Sequence, residues 1–246
     1  MKAIVLAAGR GNRMRPLSDA TPKPLLQVHG KPLIEWHLEA LAAGGVREVV
    51  INTAWLEEQI VAALGDGSRF GLSIAYSMEG RDHGGALETA GGIAKALPVL
   101  GDAFWVVSAD VYAPDFRYSA AAHDAFVASG RLGRLWLVPN PHFHPGGDFG
   151  LGADGLGLAD GAGPDGQRWT YANIALLRAT MFAGIAPGTR ATLAPLLYAG
   201  MRARQIGAEV YRGRWENVGT PEQLAALTAA PPPAGGSAPC GRGSSG

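Results

Sequence analysis

The sequence lacks the features that mark several large classes of protein. It has one cysteine, Cys240, so a disulfide framework and a cysteine-based zinc site are both excluded. It has no excess of charge, because 21 Lys and Arg residues balance 21 Asp and Glu residues, whereas a nucleic-acid-binding domain is expected to be basic. No apolar run approaches the roughly 20 residues that cross a bilayer. The composition therefore predicts neither a nucleic-acid partner nor a membrane partner, and it says nothing about oligomeric state.

The first residues do not fit a signal peptide. The apolar segment 3–8 is shorter than the hydrophobic region of a signal peptide. Arg10, Arg13 and Arg15 follow at once, where a cleavage site requires small neutral residues. A buried first strand is the better interpretation, and we expect a cytoplasmic protein.

The two ends of the chain differ in composition. Residues 1–228 carry the apolar patterns of a folded domain, and a chain of 246 residues can bury a core without disulfides. From residue 229 the sequence is rich in Pro, Gly and Ser and has no apolar periodicity. We therefore predict one domain over 1–228 and a disordered tail over 229–246.

Short apolar runs alternate with helical patterns along the first 140 residues. The strand-like runs lie at 3–8, 48–52, 72–77, 104–108 and 132–138. Helical patterns lie at 34–41, 56–64 and 88–97. Continuous apolar runs suit strands that are buried on both faces. The alternation predicts an α/β fold: a Rossmann-like, mostly parallel sheet with helices on both faces.

The alternation breaks after residue 140. Residues 140–168 are rich in Gly, Asp and Pro, which predicts loops and hairpins inserted over the active site. The remaining patterns predict a strand at 169–177, a helix at 192–204, short strands at 209–212 and 214–218, and a closing helix at 220–227.

The loop after the first strand is the most informative segment. Gly9 and Gly11 allow a backbone that approaches phosphate oxygens closely and directs N–H groups at them. Ligands of parallel sheets bind beyond the carboxyl ends of the strands, where this loop lies. The segment is not the dinucleotide fingerprint, because Met14 replaces the third glycine, and no Gly-Lys-Ser/Thr follows as in a Walker A loop.

The charge of this region supports a phosphate site. Residues 1–31 contain six Lys and Arg residues against one acidic residue, Asp19. A solvated basic face is the alternative. The cations alternate with Gly and Pro, however, and Lys23 lies between Pro22 and Pro24, so a stiff backbone presents its ammonium group.

The pattern Leu-x-Ala-Gly-x-Gly-x-Arg-Met-x-Pro from Leu6, followed by Pro-Lys-Pro, resembles the signature of the sugar-1-phosphate nucleotidylyltransferases. The resemblance extends from residue 1 to about residue 227. It implies a transfer of a nucleotidyl group from a nucleoside triphosphate to a sugar 1-phosphate. It also implies nucleotide contacts at Leu6, Ala8, Gly9 and Gly11, and catalytic roles for Arg13 at the triphosphate and Lys23 at the reacting phosphates.

Three further segments, at residues 52–56, 64–71 and 140–149, carry a finer resemblance within this family. They are similar to segments of the uridylyltransferases that act on N-acetylmuramate α-1-phosphate in cell-wall recycling. Guanylyl transfer to mannose 1-phosphate and thymidylyl transfer to glucose 1-phosphate remain alternatives, because a base that is recognised by backbone groups leaves little trace in side chains. A dinucleotide-dependent dehydrogenase is a weaker alternative, since its third glycine is missing.

A second glycine-rich segment begins the helix predicted at residue 88. It is similar to the family's base-binding loop, although Glu88 replaces the usual glycine. Thr89 and Gly91 are the predicted nucleotide contacts, because a helix N-terminus offers unpaired N–H groups. Close helix packing is the alternative for these small residues. Glu79, at the end of the preceding strand, is a further candidate nucleotide contact, and an ordinary surface carboxylate is the alternative.

Two positions are candidates for a Mg²⁺ site. Asp110 follows the strand at 104–108, and Mg²⁺ favours one or two carboxylates together with substrate phosphates. The family's second metal carboxylate falls at Asn217, which keeps a ligating oxygen but lacks the charge. We expect Mg²⁺ to rest on Asp110 and the nucleotide phosphates, with Asn217 as a weaker partner or as a hydrogen-bond donor. Asn217 also raises a hypothesis of another class, a relative that binds a nucleotide sugar without making it.

The resemblance places a sugar contact at Asn173, and Asp148 is a second candidate for the sugar phosphate. His142, His144 and Asp148 invite a metal interpretation, but their Pro- and Gly-rich segment favours an ordering role in a loop at the rim of the site. His37, on an apolar helix face, is expected to be a packing residue. The candidate cations for the sugar phosphate are Arg178, Arg190, Arg212 and Arg214, which the sequence does not rank.

Overall fold

The computed structural model describes residues 1–232, and its central sheet begins with the apolar run at the start of the chain. The helices are α1 (Leu17–Ala20), α2 (Leu33–Ala43), α3 (Glu57–Leu64), α4 (Glu79–His83), α5 (Glu88–Leu100), α6 (Ala120–Ser129), α7 (Ala194–Arg202) and α8 (Pro221–Ala229). The strands are β1 (Lys2–Leu6), β2 (Gln27–Val28), β3 (Lys31–Pro32), β4 (Glu48–Thr53), β5 (Ser73–Met78), β6 (Ala103–Ser108), β7 (Val111–Tyr112), β8 (Gly133–Val138), β9 (Phe149–Leu151), β10 (Gly157–Leu158), β11 (Arg168–Arg178), β12 (Ile206–Val210) and β13 (Glu216–Asn217).

The sheet has a parallel centre and an antiparallel flank. Strands β6, β1, β4 and β5 are neighbours and all run parallel. Strand β11 joins β6 antiparallel and carries β8 and the β9–β10 hairpin, while β12 adds to β8 in parallel. The predicted α/β fold with a mostly parallel central sheet is confirmed. In the described residues, no helix is long and apolar enough to cross a membrane.

The core explains why β1 is apolar throughout. Side chains alternate across a strand, so Ala3 and Val5 pack on one face and Ile4 on the other. The first face lies under helices α2 and α3, and the second lies under α5 and α7. Both faces of β1 are therefore buried from solvent, which is the arrangement that a continuous apolar strand requires.

The structure corrects some of the predicted bounds. The strand predicted at 209–212 lies at Ile206–Val210, and the one predicted at 214–218 is reduced to Glu216–Asn217. Helix α6 was not predicted, because its polar and apolar residues lack a clear periodicity. Helix α8 includes Ala229, the first residue of the segment predicted as a tail, and residues 233–246 of that segment lie outside the described part of the chain.

Residues 140–168 form the predicted loops and the short β9–β10 hairpin at the edge of β11. Gly147 and Gly155 have positive φ angles in its turns. This segment brings Phe143, His144 and Phe149 to the wall of the cavity described next.

Candidate functional site

A cavity of about 950 Å³ opens at the carboxyl ends of the central strands. Leu6, Asn52 and Ser108 stand in register at the ends of β1, β4 and β6, and all three line it. Four cations, Arg10, Arg13, Lys23 and Arg190, line the same cavity within the described residues. The cavity therefore combines the size of a nucleotide site with charges that suit phosphates.

The loop after β1 forms the floor of this cavity. Leu6, Ala8, Gly9 and Gly11 all line it, as the sequence predicts for nucleotide contacts. Gly11 has a φ of 69°, and a Cβ there would lie 3.3 Å from the Cβ of Lys23. A Cβ at Gly9 would meet no atom within 4 Å, so that residue faces open space. Gly11 is thus needed for the turn, whereas Gly9 leaves room for a ligand.

Arg13 and Lys23 stand on two short 3₁₀ turns above this floor. Arg13 lies in the turn Asn12–Met14, which the fully buried Met14 anchors. Its guanidinium carbon would be 3.5 Å from a Cβ at Gly219, so Arg13 lies close to the segment after β13. Lys23 begins the turn Lys23–Leu25, and its side chain is only 10% exposed. Both side chains reach the cavity wall.

Lys23 and Asp110 form the central ion pair of the site. Lys23 Nζ donates to Asp110 Oδ2 at 2.7 Å, and Ser108 Oγ donates to Asp110 Oδ1 at 2.7 Å. Burial disfavours the charged carboxylate, but the Lys23 ammonium and the Ser108 hydroxyl outweigh it, so the pKa of Asp110 lies below its ordinary value. Asp110 is therefore an anion at neutral pH, held in place at both oxygens.

Asn217 is brought to Asp110 by strand pairing. Strand β13 runs antiparallel to β7, with Asn217 opposite Val111, and Val218 N donates to Asp110 O at 2.9 Å. The Asn217 Oδ1 atom is buried and has no hydrogen-bond partner among the described residues. A buried acceptor without a donor is costly, so this oxygen is available to a cation or a ligand donor.

These donors fit a hard divalent cation. Asp110 supplies a carboxylate and Asn217 an unpartnered carbonyl oxygen, both of which belong to the oxygen ligands that Mg²⁺ takes. No group of three or more His, Cys, Asp or Glu residues that could hold a metal occurs in residues 1–232. A metal at this position would therefore need further ligands from phosphates or water.

A buried histidine supports the strand that follows Asp110. His37 is buried on α2, and its Nε2 donates to Val111 O at 2.7 Å while Tyr118 Oη donates to Nδ1 at 2.9 Å. Burial lowers the pKa of His37 to about 4, so the ring is neutral. The predicted packing role of His37 agrees with these contacts.

The start of α5 differs from the expectation of free N–H groups. Ala90 N and Gly91 N both donate to Ala191 O, at 2.9 and 3.0 Å. A Cβ at Gly91 would lie 2.2 Å from Thr189 O, so glycine is required there for packing. Gly91 is not among the described residues that line the cavity, and the packing alternative applies.

Glu79 also lies behind the cavity wall rather than in it. It is fully buried, accepts from Asn52 Nδ2 at 2.8 Å and accepts from Leu87 N at 2.7 Å. Burial raises its pKa above the ordinary value despite these two bonds. Glu79 therefore joins β4 to the segment before α5 through two hydrogen bonds. Because it does not line the cavity, its position does not support the predicted contact with a nucleotide base.

Glu88 and Thr89 are the residues of this segment that line the cavity. Glu88 has a φ of 62°, a left-handed conformation that glycine adopts without strain. Its side chain accepts from Arg190 Nη2 at 3.1 Å, across 102 positions of sequence. The departure from glycine thus places a strained residue and an ion pair on the wall of the site.

The structure ranks the four arginine candidates. Arg190 lines the cavity, whereas Arg178 pairs with Asp102 at 2.5 Å. Arg212 lies over Trp169 and Arg214 lies over Tyr112. Of the four candidates, all within the described residues, Arg190 alone lines the cavity, where its guanidinium pairs with Glu88.

The opposite wall is formed by β11 and the loop before β9. Asn173 lines the cavity with a φ of 57°, within the register shift where β11 leaves β8. Asp148 also lines the cavity, accepts from Tyr171 N at 2.8 Å and lies 3.1 Å from His144 Nε2. These bonds order the loop, which agrees with the role preferred from the sequence for His144 and Asp148.

Three residues of the site were missed by the sequence analysis. Asn52 accepts from Ala7 N at 2.8 Å and so positions the phosphate loop. Ser108 holds Asp110, and Tyr198 contributes an aromatic wall from α7. The signal for Asn52 and Ser108 was available, because both are polar residues that end apolar strands at the ligand-binding edge.

Comparisons with known proteins agree with this geometry. A family model described as nucleotidyl transferase matches residues 2–146. The N-acetylmuramate alpha-1-phosphate uridylyltransferase of Neisseria meningitidis is 49% identical over 222 residues, covering 89% of this chain and 94% of that protein. The enzyme of the same name from Caulobacter vibrioides is 39% identical over 163 residues, covering 63% of this chain and 66% of that protein.

A solved structure supports the same fold. It is a Bacillus anthracis protein described as a glucose-1-phosphate thymidylyltransferase in complex with a sucrose, and it superposes with a TM-score of 0.78. The alignment covers 93% of this chain and 94% of that one at 20% sequence identity. The arrangement of the sheet and the surrounding helices is therefore shared.

Proposed function

The chain belongs to the nucleotidyl transferase family, and from that premise we propose that it transfers a uridylyl group from UTP to N-acetylmuramate α-1-phosphate. The products are the UDP-sugar and pyrophosphate. The single observation that carries the proposal is the Lys23–Asp110 pair beside a glycine loop, in a cavity lined by four cations of the described residues. The extent of the 49% identity favours uridylyl transfer to this sugar over other family reactions.

The chemistry is an in-line displacement at phosphorus. A phosphate oxygen of the sugar 1-phosphate forms a bond to the α-phosphorus of UTP, and the bond to the β-phosphate oxygen breaks as pyrophosphate leaves with that electron pair. The attacking oxygen is already ionised, so no general base is required. The main obstacle is the repulsion between two polyanions, which catalysis must offset by positioning and charge.

The residues of the cavity divide this task. We assign Arg13 and Lys23 to the triphosphate and Arg190 to the sugar phosphate, because these cations line the cavity on the loop side and the α7 side. Leu6, Ala8, Gly9, Gly11 and Thr89 would contact the nucleotide, and Asn173 and Asp148 the sugar. Mg²⁺, when held by Asp110 and Asn217, would supply positive charge to the phosphates. The expected location is the cytoplasm, where UTP is available.

The test is pyrophosphate release from purified protein with four nucleoside triphosphates and several sugar 1-phosphates. UTP with N-acetylmuramate α-1-phosphate should give the highest kcat/KM. Lys23→Met and Asp110→Asn should each lower kcat by roughly a hundred- to a thousand-fold, as for other preorganised charges. Lys31→Met is the matched control, because Lys31 pairs with Glu39 outside the cavity lining. Full activity of the Lys23→Met protein would contradict the assigned role.

Asn217 favours a second candidate, a protein that binds a nucleotide sugar without making it. The neutral side chain removes one charge from the metal position, while the rest of the cavity keeps its cations. Tight binding of a UDP-sugar without any turnover, together with turnover restored by Asn217→Asp, would support this candidate. Measured turnover by the natural chain would dismiss it.

A further inference from the structure

We propose that Lys23 and the divalent cation compete for Asp110, so that the nucleotide-free protein binds the metal weakly and a bound triphosphate releases the carboxylate by drawing Lys23 to itself. The inference rests on the proposed function, because it takes Asp110 and Asn217 as the metal donors. It adds a second role for Lys23, which neutralises Asp110 and so weakens metal binding until a nucleotide is bound.

The contacts of Asp110 carry the first step. Both carboxylate oxygens already accept hydrogen bonds, Oδ2 from Lys23 Nζ at 2.7 Å and Oδ1 from Ser108 Oγ at 2.7 Å. The lysine is an ammonium ion in direct contact with the oxygen that a metal would use. A divalent cation on that oxygen would lie within a few ångströms of Nζ, and the repulsion between the two positive charges opposes binding of both at once.

The charge balance carries the second step. Asp110 contributes one negative charge, Lys23 cancels it, and Asn217 contributes none. Mg²⁺ gives up its water reluctantly and binds where carboxylates and phosphates are both present. A triphosphate changes this balance, because it brings negative charge for the metal and a new partner for Lys23. Metal affinity should therefore depend on the nucleotide.

The unpartnered oxygen of Asn217 carries the third step. Its Oδ1 is buried without a donor in the described residues, and the Asp110 backbone is joined to the same strand through Val218. The position is thus placed to ligate but lacks the charge to attract a dication alone. Asn217→Asp would add a negative charge that Lys23 does not already neutralise.

The experiment measures Mn²⁺ affinity by isothermal titration calorimetry on the full chain without nucleotide. The natural protein should bind weakly, and Lys23→Met and Asn217→Asp should each bind at least about tenfold more tightly. Lys31→Met removes a charge from another ion pair and should leave the affinity unchanged. Adding a UTP analogue with a methylene bridge between the α- and β-phosphorus should raise the affinity of the natural protein most.

Lys23→Met leaves Asp110 without its cation and could fold poorly, so a melting curve accompanies each titration and Asn217→Asp provides an independent variant. Equal Mn²⁺ affinity in the natural and Lys23→Met proteins, or tight nucleotide-free binding by the natural protein, would overturn the proposal. A structural role for Lys23 would lower metal affinity when removed, whereas the proposal predicts a gain. Failure of the proposed function is a separate result, because it appears as absent turnover while the titrations need no sugar.

Discussion

The two glycines of the phosphate loop allow folding and ligand binding to be separated by one pair of substitutions. Gly11 has a φ of 69°, so Gly11→Ala forces an alanine into the left-handed region at a cost of about 1–2 kcal/mol. Its Cβ would also lie 3.3 Å from Lys23 Cβ, so the lysine must shift. At Gly9 a Cβ would meet nothing within 4 Å, and we expect a stability change within about 0.5 kcal/mol.

The assays are thermal unfolding for the melting temperature, urea unfolding for the free energy of unfolding, and steady-state kinetics with UTP. Gly11→Ala should lower the melting temperature by about 2–8 °C, given 2–4 °C per kcal/mol in chains of this size. Gly9→Ala should fold normally but lower kcat/KM for UTP by about tenfold or more, because the methyl group occupies space that a phosphate approaches. A fully active Gly9→Ala protein would refute the placement of phosphates over this loop. An unchanged unfolding free energy for Gly11→Ala would refute the argument from the backbone.

Three further predictions concern residues around the cavity. Glu88→Gly should be about 1 kcal/mol more stable in urea than Glu88→Ala, because only glycine adopts the φ of 62° without strain. The pKa of His37 is lowered to about 4, so unfolding takes up a proton between pH 6.5 and 4, and stability should fall by about 3 kcal/mol as the pH decreases through that window. His37→Gln should flatten this part of the pH profile. The Trp55 ring lies 4.2 Å from the guanidinium of Arg10, which lines the cavity. Trp55→Leu removes this aromatic contact and should raise the KM for UTP about two- to fivefold. Trp55→Phe keeps an aromatic face and should retain most of the affinity.

Local patterns in the sequence predicted the parts of the fold that local physics determines. The apolar runs that became β1, β4 and β6 are continuous because each strand is covered on both faces, and such runs are visible without knowledge of the fold. The glycine loop after β1 was predicted for a similar reason, since its position beyond a parallel strand follows from the order of elements. These features depend on neighbours within a few residues.

The parts that escaped prediction depend on contacts between distant segments. The strand predicted at 214–218 is only two residues long, because its pairing is limited to β7, where Asn217 lies opposite Val111, 106 positions earlier in the chain. Gly91 looked like a base contact because nothing near it in sequence shows that Ala191 O takes the N–H groups at the start of α5. Glu79 was a candidate nucleotide contact or a surface carboxylate, because nothing near it in sequence shows that Asn52 and Leu87 take its two oxygens in the interior.

Glu88 and Asn217, two positions at which the resemblance implies a different residue, have a physical feature in common. Glu88 holds a backbone conformation that glycine would adopt without strain, and Asn217 buries an oxygen that has no hydrogen-bond donor among the described residues. Each feature lowers the free energy of unfolding of the ligand-free protein. Both line the cavity, and the ion pair that Glu88 makes reaches Arg190, the cation assigned to the sugar phosphate. Costs of this kind persist at sites where a ligand repays them. A cation that engages Asn217 would offset the cost of its buried oxygen, so Mg²⁺ together with UTP should raise the melting temperature of this chain more than that of Asn217→Leu, which removes the oxygen and offers the cation no ligand.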